Sequence, residues 1–199
     1  MSLTLTVKPT MYPVTLAEVK ENSRIEHTDD DALLYTFIAA ATDYVEIYTR
    51  RDLIQRTYQY KTDKFPTGTN KFCLPRFPIL SVSSVVYTDV TTSPQANTLA
   101  TTVYGLSNSG GTAYLYLKYN QSWPSYSIVE DGITVTFVSG YEGLGSPQDL
   151  RGNIPDAVRG AIMMIAGDLY EHRESKLDIQ TYKNDTVDML LNAHRLYHL

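Results

Sequence analysis

DDALLYTFIAAATDYVEIYTRR, residues 30–51, is the stretch on which the architecture turns. Leu34, Phe37, Ile38, Ala41, Tyr44, Val45 and Tyr48 recur at steps of three and four, which lays one apolar stripe along about five turns of helix. The carboxylates of Asp29, Asp30 and Asp31, after Thr28, are placed to face the positive end of that helix. Arg50 and Arg51 suit its negative end and mark its termination.

Upstream, Thr15-Leu16-Ala17-Glu18 has capping-box spacing and predicts a short helix ending near Ser23 to His27. Before it, Met1 to Lys8 alternates Leu3, Leu5 and Val7 with Ser2, Thr4 and Thr6, the period of a strand. Downstream of Asp52 the period changes to two. Thr57 to Thr62, Val82 to Tyr87, Tyr114 to Tyr119 and Ile133 to Val138 read as strands. The turn signals between them, such as Asn108-Ser109-Gly110-Gly111 and Asp131-Gly132, favour antiparallel pairing.

Gly140 to Asn153 reads as a loop that returns the chain to helix at Pro155, a residue suited to a first helical turn. Val158, Ala161, Ile162, Ile165, Ala166, Leu169 and Tyr170 then form a second long apolar stripe. Gly167 within it costs about 1 kcal/mol against Ala, a cost offset if another helix passes close by. Charged residues Glu171, Arg173, Glu174, Lys176 and Asp178 read as a solvated face. A polar link over Gln180 to Asn184 leads to a last short helix, Asp185 to Leu199, with Val187, Leu190, Leu191 and Leu196 on its apolar side. The expected fold class is α+β. A helical core over 1–54 and 153–199, with two long helices plus short N- and C-terminal ones, is interrupted by an antiparallel β module over 55–152.

The 199 residues carry a net charge of −5, which argues against affinity built on neutralising nucleic-acid phosphates. The longest apolar run, Ala161 to Ala166, is far short of the roughly twenty residues of a membrane span. No stretch near the N-terminus resembles a signal peptide, so the expected site of synthesis and residence is the cytoplasm. One cysteine, Cys73, forms no internal disulfide and reads as a small buried hydrophobe. The 16 tyrosines, against one Trp and five Phe, are the unusual count. Tyr couples a large apolar ring to a polar tip, which suits surfaces covered on assembly, although strands also favour it.

Chemistry is hard to place. Of His27, His172, His194 and His198, only the last two have ligand-like spacing, and no third ligand accompanies them. The three aspartates project in different directions from a helix start and lack a calcium-loop pattern. Gly140, Gly143 and Gly145 match neither a phosphate loop nor a dinucleotide fingerprint. Catalysis, a metal and a cofactor are therefore not expected.

Three segments taken together resemble the head-tail connector family of tailed phages, the adaptors below the portal ring. They are Thr15 to Lys20 followed by Asp30 to Leu34 and the helix to Arg51; Leu74-Pro75-Arg76-Phe77-Pro78-Ile79 leading to Val82-Ser83-Ser84-Val85; and Gly140-Tyr141, Ile154-Pro155 and Ala161 to Glu174 with Gly167-Asp168-Leu169-Tyr170-Glu171. The β-rich middle is similar to longer prophage members and departs from the almost purely helical small ones.

The resemblance implies a virion protein at the head-tail junction, made in the bacterial cytoplasm and assembled as a ring of roughly twelve copies. Its implied partners are itself, the portal protein, a tail-side connector or stopper, and DNA passing through without sequence-specific binding. Candidate ring contacts are Tyr44, Tyr48, Tyr58, Tyr60, Tyr114, Tyr116 and Tyr170. Candidate docking residues for the portal or a neighbour are Val187, Leu190, Leu191 and Leu196. The competing readings are a tail-completion or tail-terminator protein, a β-rich binding module without ring assembly, and a small hydrolase using Cys73 or the Asp cluster.

Overall fold

The structure, a computed structural model, describes residues 1–91, 95–144, 149–172 and 185–197. Its chain divides into two compact units. Residues 1–9 and 55–141 form a β unit, and residues 10–54 and 142–199 a helical one. The fold class is α+β, as the sequence predicts, with antiparallel pairing in every ladder described.

In the β unit the strands are β1 Ser2–Val7, β2 Arg56–Thr62, β3 Lys71–Leu74, β4 Ile79–Thr88, β5 Ala96–Thr98, β6 Tyr104–Ser109, β7 Thr112–Leu117 and β8 Ile133–Ser139. They make a five-stranded sheet in the order β1-β2-β8-β4-β5 and a three-stranded sheet in the order β3-β7-β6. β8 is the middle strand, and its alternation explains why: Ile133, Val135, Phe137 and Ser139 are all buried, with half-exposed residues between them. One apolar cluster joins the sheets, with Tyr58, Val85, Val135 and Phe137 from one and Phe72, Leu74, Ala113 and Leu115 from the other. Phe65 stacks on Trp123 with ring centroids 4.7 Å apart, bringing the segment after β7 onto this core.

Two differences from the sequence reading have simple causes. β1 belongs to the β unit and not to the helical core, because Leu3 and Leu5 pair with Tyr60 and Tyr58 of β2. The segment 142–152 belongs with the helices, where Arg151 Nε donates to the Tyr12 carbonyl at 2.8 Å. β3, β5 and β6 were not legible as strands; they are short or interrupted by Gly, Ser and Asn. The β6–β7 turn is a two-residue one, Gly110-Gly111, with φ of +62° and +77°. Both central positions of such a turn need positive φ, which glycine adopts without steric cost.

In the helical unit α1 spans Leu16–Ser23, α2 Asp31–Thr49, α3 Asp156–Glu171 and α4 Asp185–Asn192. α2 buries Leu34, Ile38, Ala41 and Val45, and α3 buries Val158, Ala161, Ile162 and Ala166. These residues lie on the predicted stripes, although Tyr44 and Leu169, also expected there, are exposed because they sit at the stripes' edges; the two helices are each other's main partner. Thr42 and Thr49, buried on α2, donate back to the carbonyls of Ile38 and Val45, each at 2.7 Å, so burial leaves neither hydroxyl unpaired. α1 passes α3 at Gly167, where an added Cβ would stand 3.0 Å from Ser23 Oγ. That close approach supplies the reason for a glycine inside α3. α4 stops at Asn192, short of the predicted Leu199. The predicted charged face from Arg173, the link through Asn184, Gly145 and His198 lie outside the described residues.

Candidate assembly surface

The start of α1 is held by the capping box. Thr15 Oγ1 accepts from the Glu18 amide at 3.1 Å, and Glu18 Oε2 accepts from the Thr15 amide at 2.6 Å. The other carboxylate oxygen of Glu18 takes a hydrogen bond from Arg159 of α3. Partial burial pushes the Glu18 carboxyl up, but the Thr15 hydrogen bonds and the Arg159 guanidinium outweigh it, and the group sits below its ordinary range.

The aspartates before α2 behave differently from the predicted cap. Asp30 occupies the N-cap position without a side-chain bond to the helix amides. Its carboxylate instead accepts from the Tyr170 hydroxyl of α3 at 2.8 Å. Asp31 pairs with Lys20 of α1 at 2.7 Å. Each carboxylate thus ties one helix to another.

At the other end of α2 the chain turns through Arg50, whose φ of +58° is left-handed. The segment after α4 is fastened there. Arg51 Nε donates to the His194 carbonyl at 2.7 Å and the Leu196 amide to the Thr49 carbonyl at 3.1 Å. The Tyr48 hydroxyl donates to Asn192 Oδ1 at 2.8 Å, and the Arg195 guanidinium lies 5.0 Å from the Tyr48 ring centre. Arg51 therefore does more than end a helix, a role no local pattern announces because its partner lies 143 residues away.

This fastening corrects the docking expectation. Val187, Leu191 and Leu196 are buried in their own chain, Leu191 completely, and Leu190 is half-buried. An eight-residue helix is marginal alone in water and spends its apolar stripe on the helices that carry it. Of the large apolar side chains described in α4 and its tail, Met189 and Tyr197 are the exposed ones.

The tyrosines separate by strand parity. On β2, Tyr58 and Tyr60 point the same way, into the core: Tyr58 is 3% exposed, its ring 5.7 Å from Phe137, so it is no ring contact. Tyr60 is half-buried 6.0 Å from Phe72, and burial raises its hydroxyl above the ordinary value. On β7, Ala113 and Leu115 point inward, so Tyr114 and Tyr116 face out. Lys71 Nζ stands 4.6 Å from the Tyr114 ring centre. The Tyr116 ring covers Gly105 of β6, where a Cβ would come within 2.5 Å of it. Parity also exposes Cys73, between inward Phe72 and Leu74, and overturns its reading as a buried hydrophobe. On the helices, the hydroxyls of Tyr48 and Tyr170 are engaged inside the subunit, whereas Tyr44 is 47% exposed and is joined by Ile47 at 78%.

Among the described residues no group of three or more His, Cys, Asp and Glu side chains could hold a metal ion, and no helix is long and apolar enough to cross a membrane. The molecule offers surfaces: an α2 face with uncovered apolar side chains, outward tyrosines on β7, and Val90, Tyr119 and Ile128 exposed on loops of the β unit.

The model of the Head completion protein family matches residues 14–193, and the chain belongs to that family. It is 35% identical over 43 residues to "Head completion protein gp6" of Enterobacteria phage HK97, a match covering 22% of this chain and 40% of that relative. The matched segment is thus about two fifths of the relative's length. Similar folds occur in gene transfer agent (GTA) particles. A chain in "Neck of empty GTA particle computed with C6 symmetry" aligns with a TM-score of 0.77 and 16% identity, covering 100% of this chain and 97% of that one. One in "Neck of native GTA particle computed with C12 symmetry" aligns at 0.74 and 17% with the same coverage. The resemblance read from Thr15–Lys20, Leu74–Ile79 and Ala161–Glu174 is borne out by the family match.

Proposed function

We propose that this chain completes the phage head by forming a ring of about twelve copies between the portal and a tail-side connector or stopper. The family match over residues 14–193 carries this reading, and the full-length likeness to a neck protein described with C12 symmetry supports the ring. The chain's own contribution is shape and adhesion. Its capped and cross-tied helices give a stiff body, and the uncovered faces of α2 and the β unit give it surfaces for neighbours.

DNA would cross the ring without being gripped. A chain of net charge −5 presents too few clustered cations to neutralise phosphates, so the duplex is free to slide. The virion is the site of action, and no catalytic step belongs to the role.

The test is a particle assay. Deleting the gene from an inducible prophage is expected to give filled heads without tails that leak DNA, and full-length protein supplied in trans is expected to restore tailed particles with this chain at the neck. Normal tailed particles from the deletion would refute the role. Recovery of the chain on tails in a mutant that makes no heads would move it to the tail side.

A further inference from the structure

α2 and α3 turn their buried stripes toward each other, so their outward faces look in opposite directions. On α2 the outward face carries Thr36, Ala40, Asp43 and Ile47, at steps of four, three and four, with Tyr44 beside them. Ile47 is 78% exposed, and Asp43 is the face's sole charge between Thr36 and Ile47. On α3, which α1 and α4 also pack against, the side away from α2 carries Ala157, Gly160 and Met164, all half-buried, and the exposed Asp168. One face is a ridge and the other is low.

The two glycines of α3 are in different situations. Gly167 is required by Ser23 of α1, 3.0 Å from where its Cβ would be. A Cβ at Gly160 would meet nothing within 4 Å. A mid-helix glycine costs about 1 kcal/mol relative to Ala, and nothing inside the subunit requires this one. A surface that approaches the α3 backbone from outside would require it.

We propose that the ring seam is heterologous, with the Ile47–Tyr44 ridge of α2 on one copy seated over Gly160 of α3 on the next. This rests on the ring reading above. The occupant is a second copy, because a closed ring needs one patch to meet a different patch repeatedly, and these two unlike faces lie on opposite sides of one helix pair. A two-fold dimer would instead match a face with itself. The absence of a bulky side chain at 160 lets the helices approach closely, and the low charge of the α2 face limits desolvation cost.

The test separates assembly from folding. Gly160→Leu adds a strong helix former where the subunit has open space, so its melting temperature should equal or exceed that of the parent chain. Ring formation, measured by native mass on the full chain alone and on heads lacking the gene product, should fall by on the order of tenfold or more. Ile47→Glu should do the same. In a Cys73→Ala background, a chain with Ile47→Cys mixed with a chain carrying Gly160→Cys should form disulfide dimers on oxidation, and neither should do so alone. One chain bearing both should give a ladder of linked copies. If parent rings form and Gly160→Leu rings form equally well, or the double-cysteine rings do not cross-link, the seam is elsewhere. If the parent chain forms no ring even on heads, the ring reading falls, and the seam with it.

Discussion

The Tyr170 hydroxyl donates to Asp30 Oδ2 at 2.8 Å, joining the last turn of α3 to the residue that opens α2. The sequence offered both residues to other tasks, Asp30 to a helix cap and Tyr170 to a ring contact. A hydrogen bond to a charged acceptor at a partly exposed site is worth about 1 kcal/mol or somewhat more. Tyr170→Phe is therefore expected to lower urea stability by about that amount. If the hydroxyl matters only through this bond, ring formation should be unchanged at temperatures well below the melt.

Glu18 makes the helical unit sensitive to acid. Its carboxyl lies below the ordinary glutamate value because Thr15 and Arg159 favour the ionised form more than burial opposes it. The stabilisation is complete above the unfolded value and is lost as pH falls through the lower folded value. Stability measured from pH 7 down to about 3 should fall, and Glu18→Gln should be less stable at neutral pH with a shallower acid slope. Equal slopes would show that the acid sensitivity does not come from Glu18.

Phe65 and the single tryptophan give the β unit its own reporter. With the rings 4.7 Å apart and 9° from parallel, Trp123 senses whether the segment after β7 is seated. Phe65→Ala, at a fully buried position, should cost about 3–4 kcal/mol and shift Trp123 emission to the red. An unshifted spectrum would mean that Phe72, its ring centre 6.2 Å from that of Trp123, holds the indole without Phe65.

The Gly110-Gly111 turn should accept one substitution and reject another. Gly110→Asn fits a position with φ of +62° and should leave stability within a few tenths of a kcal/mol. Gly110→Val, β-branched in a left-handed conformation, should cost about 1–2 kcal/mol. Denaturation followed at Trp123 distinguishes them.

Sequence revealed the elements whose period is long or whose cap is local. The stripes of α2 and α3 and the Thr15–Glu18 box stand in the structure where their spacing puts them. It did not reveal which face of a strand is inside. Tyr58 and Tyr114 look alike in sequence, and only the pairing of β2 with β8 and of β7 with β3 sends the first inward and the second out. Nor could it show what α4 does with its leucines, since the groups that hold its tail, Tyr48, Thr49 and Arg51, precede it by more than 130 residues. Position-specific surface features were the least legible: Ile47 sits in the same apolar run as the buried stripe and differs only in its angle around the helix.

The strand order of the larger sheet bears on how the chain matures at the ribosome. β2 and β4 do not pair with each other; both pair with β8, which ends at Ser139. A growing chain can therefore build α1 and α2 from nearby residues but has no bridge between β2 and β4 until Ser139 has left the exit tunnel. Loop closure over such separations makes the sheet slow to form compared with the helices. Residues 156–171 of α3 follow almost at once, so the sheet and the α2–α3 pair reach completion within a short span of translation. A nascent chain stalled before β8 would hold the edge of β2 and the apolar stripe of α2 open together, the stage at which aggregation of this chain has most to work with.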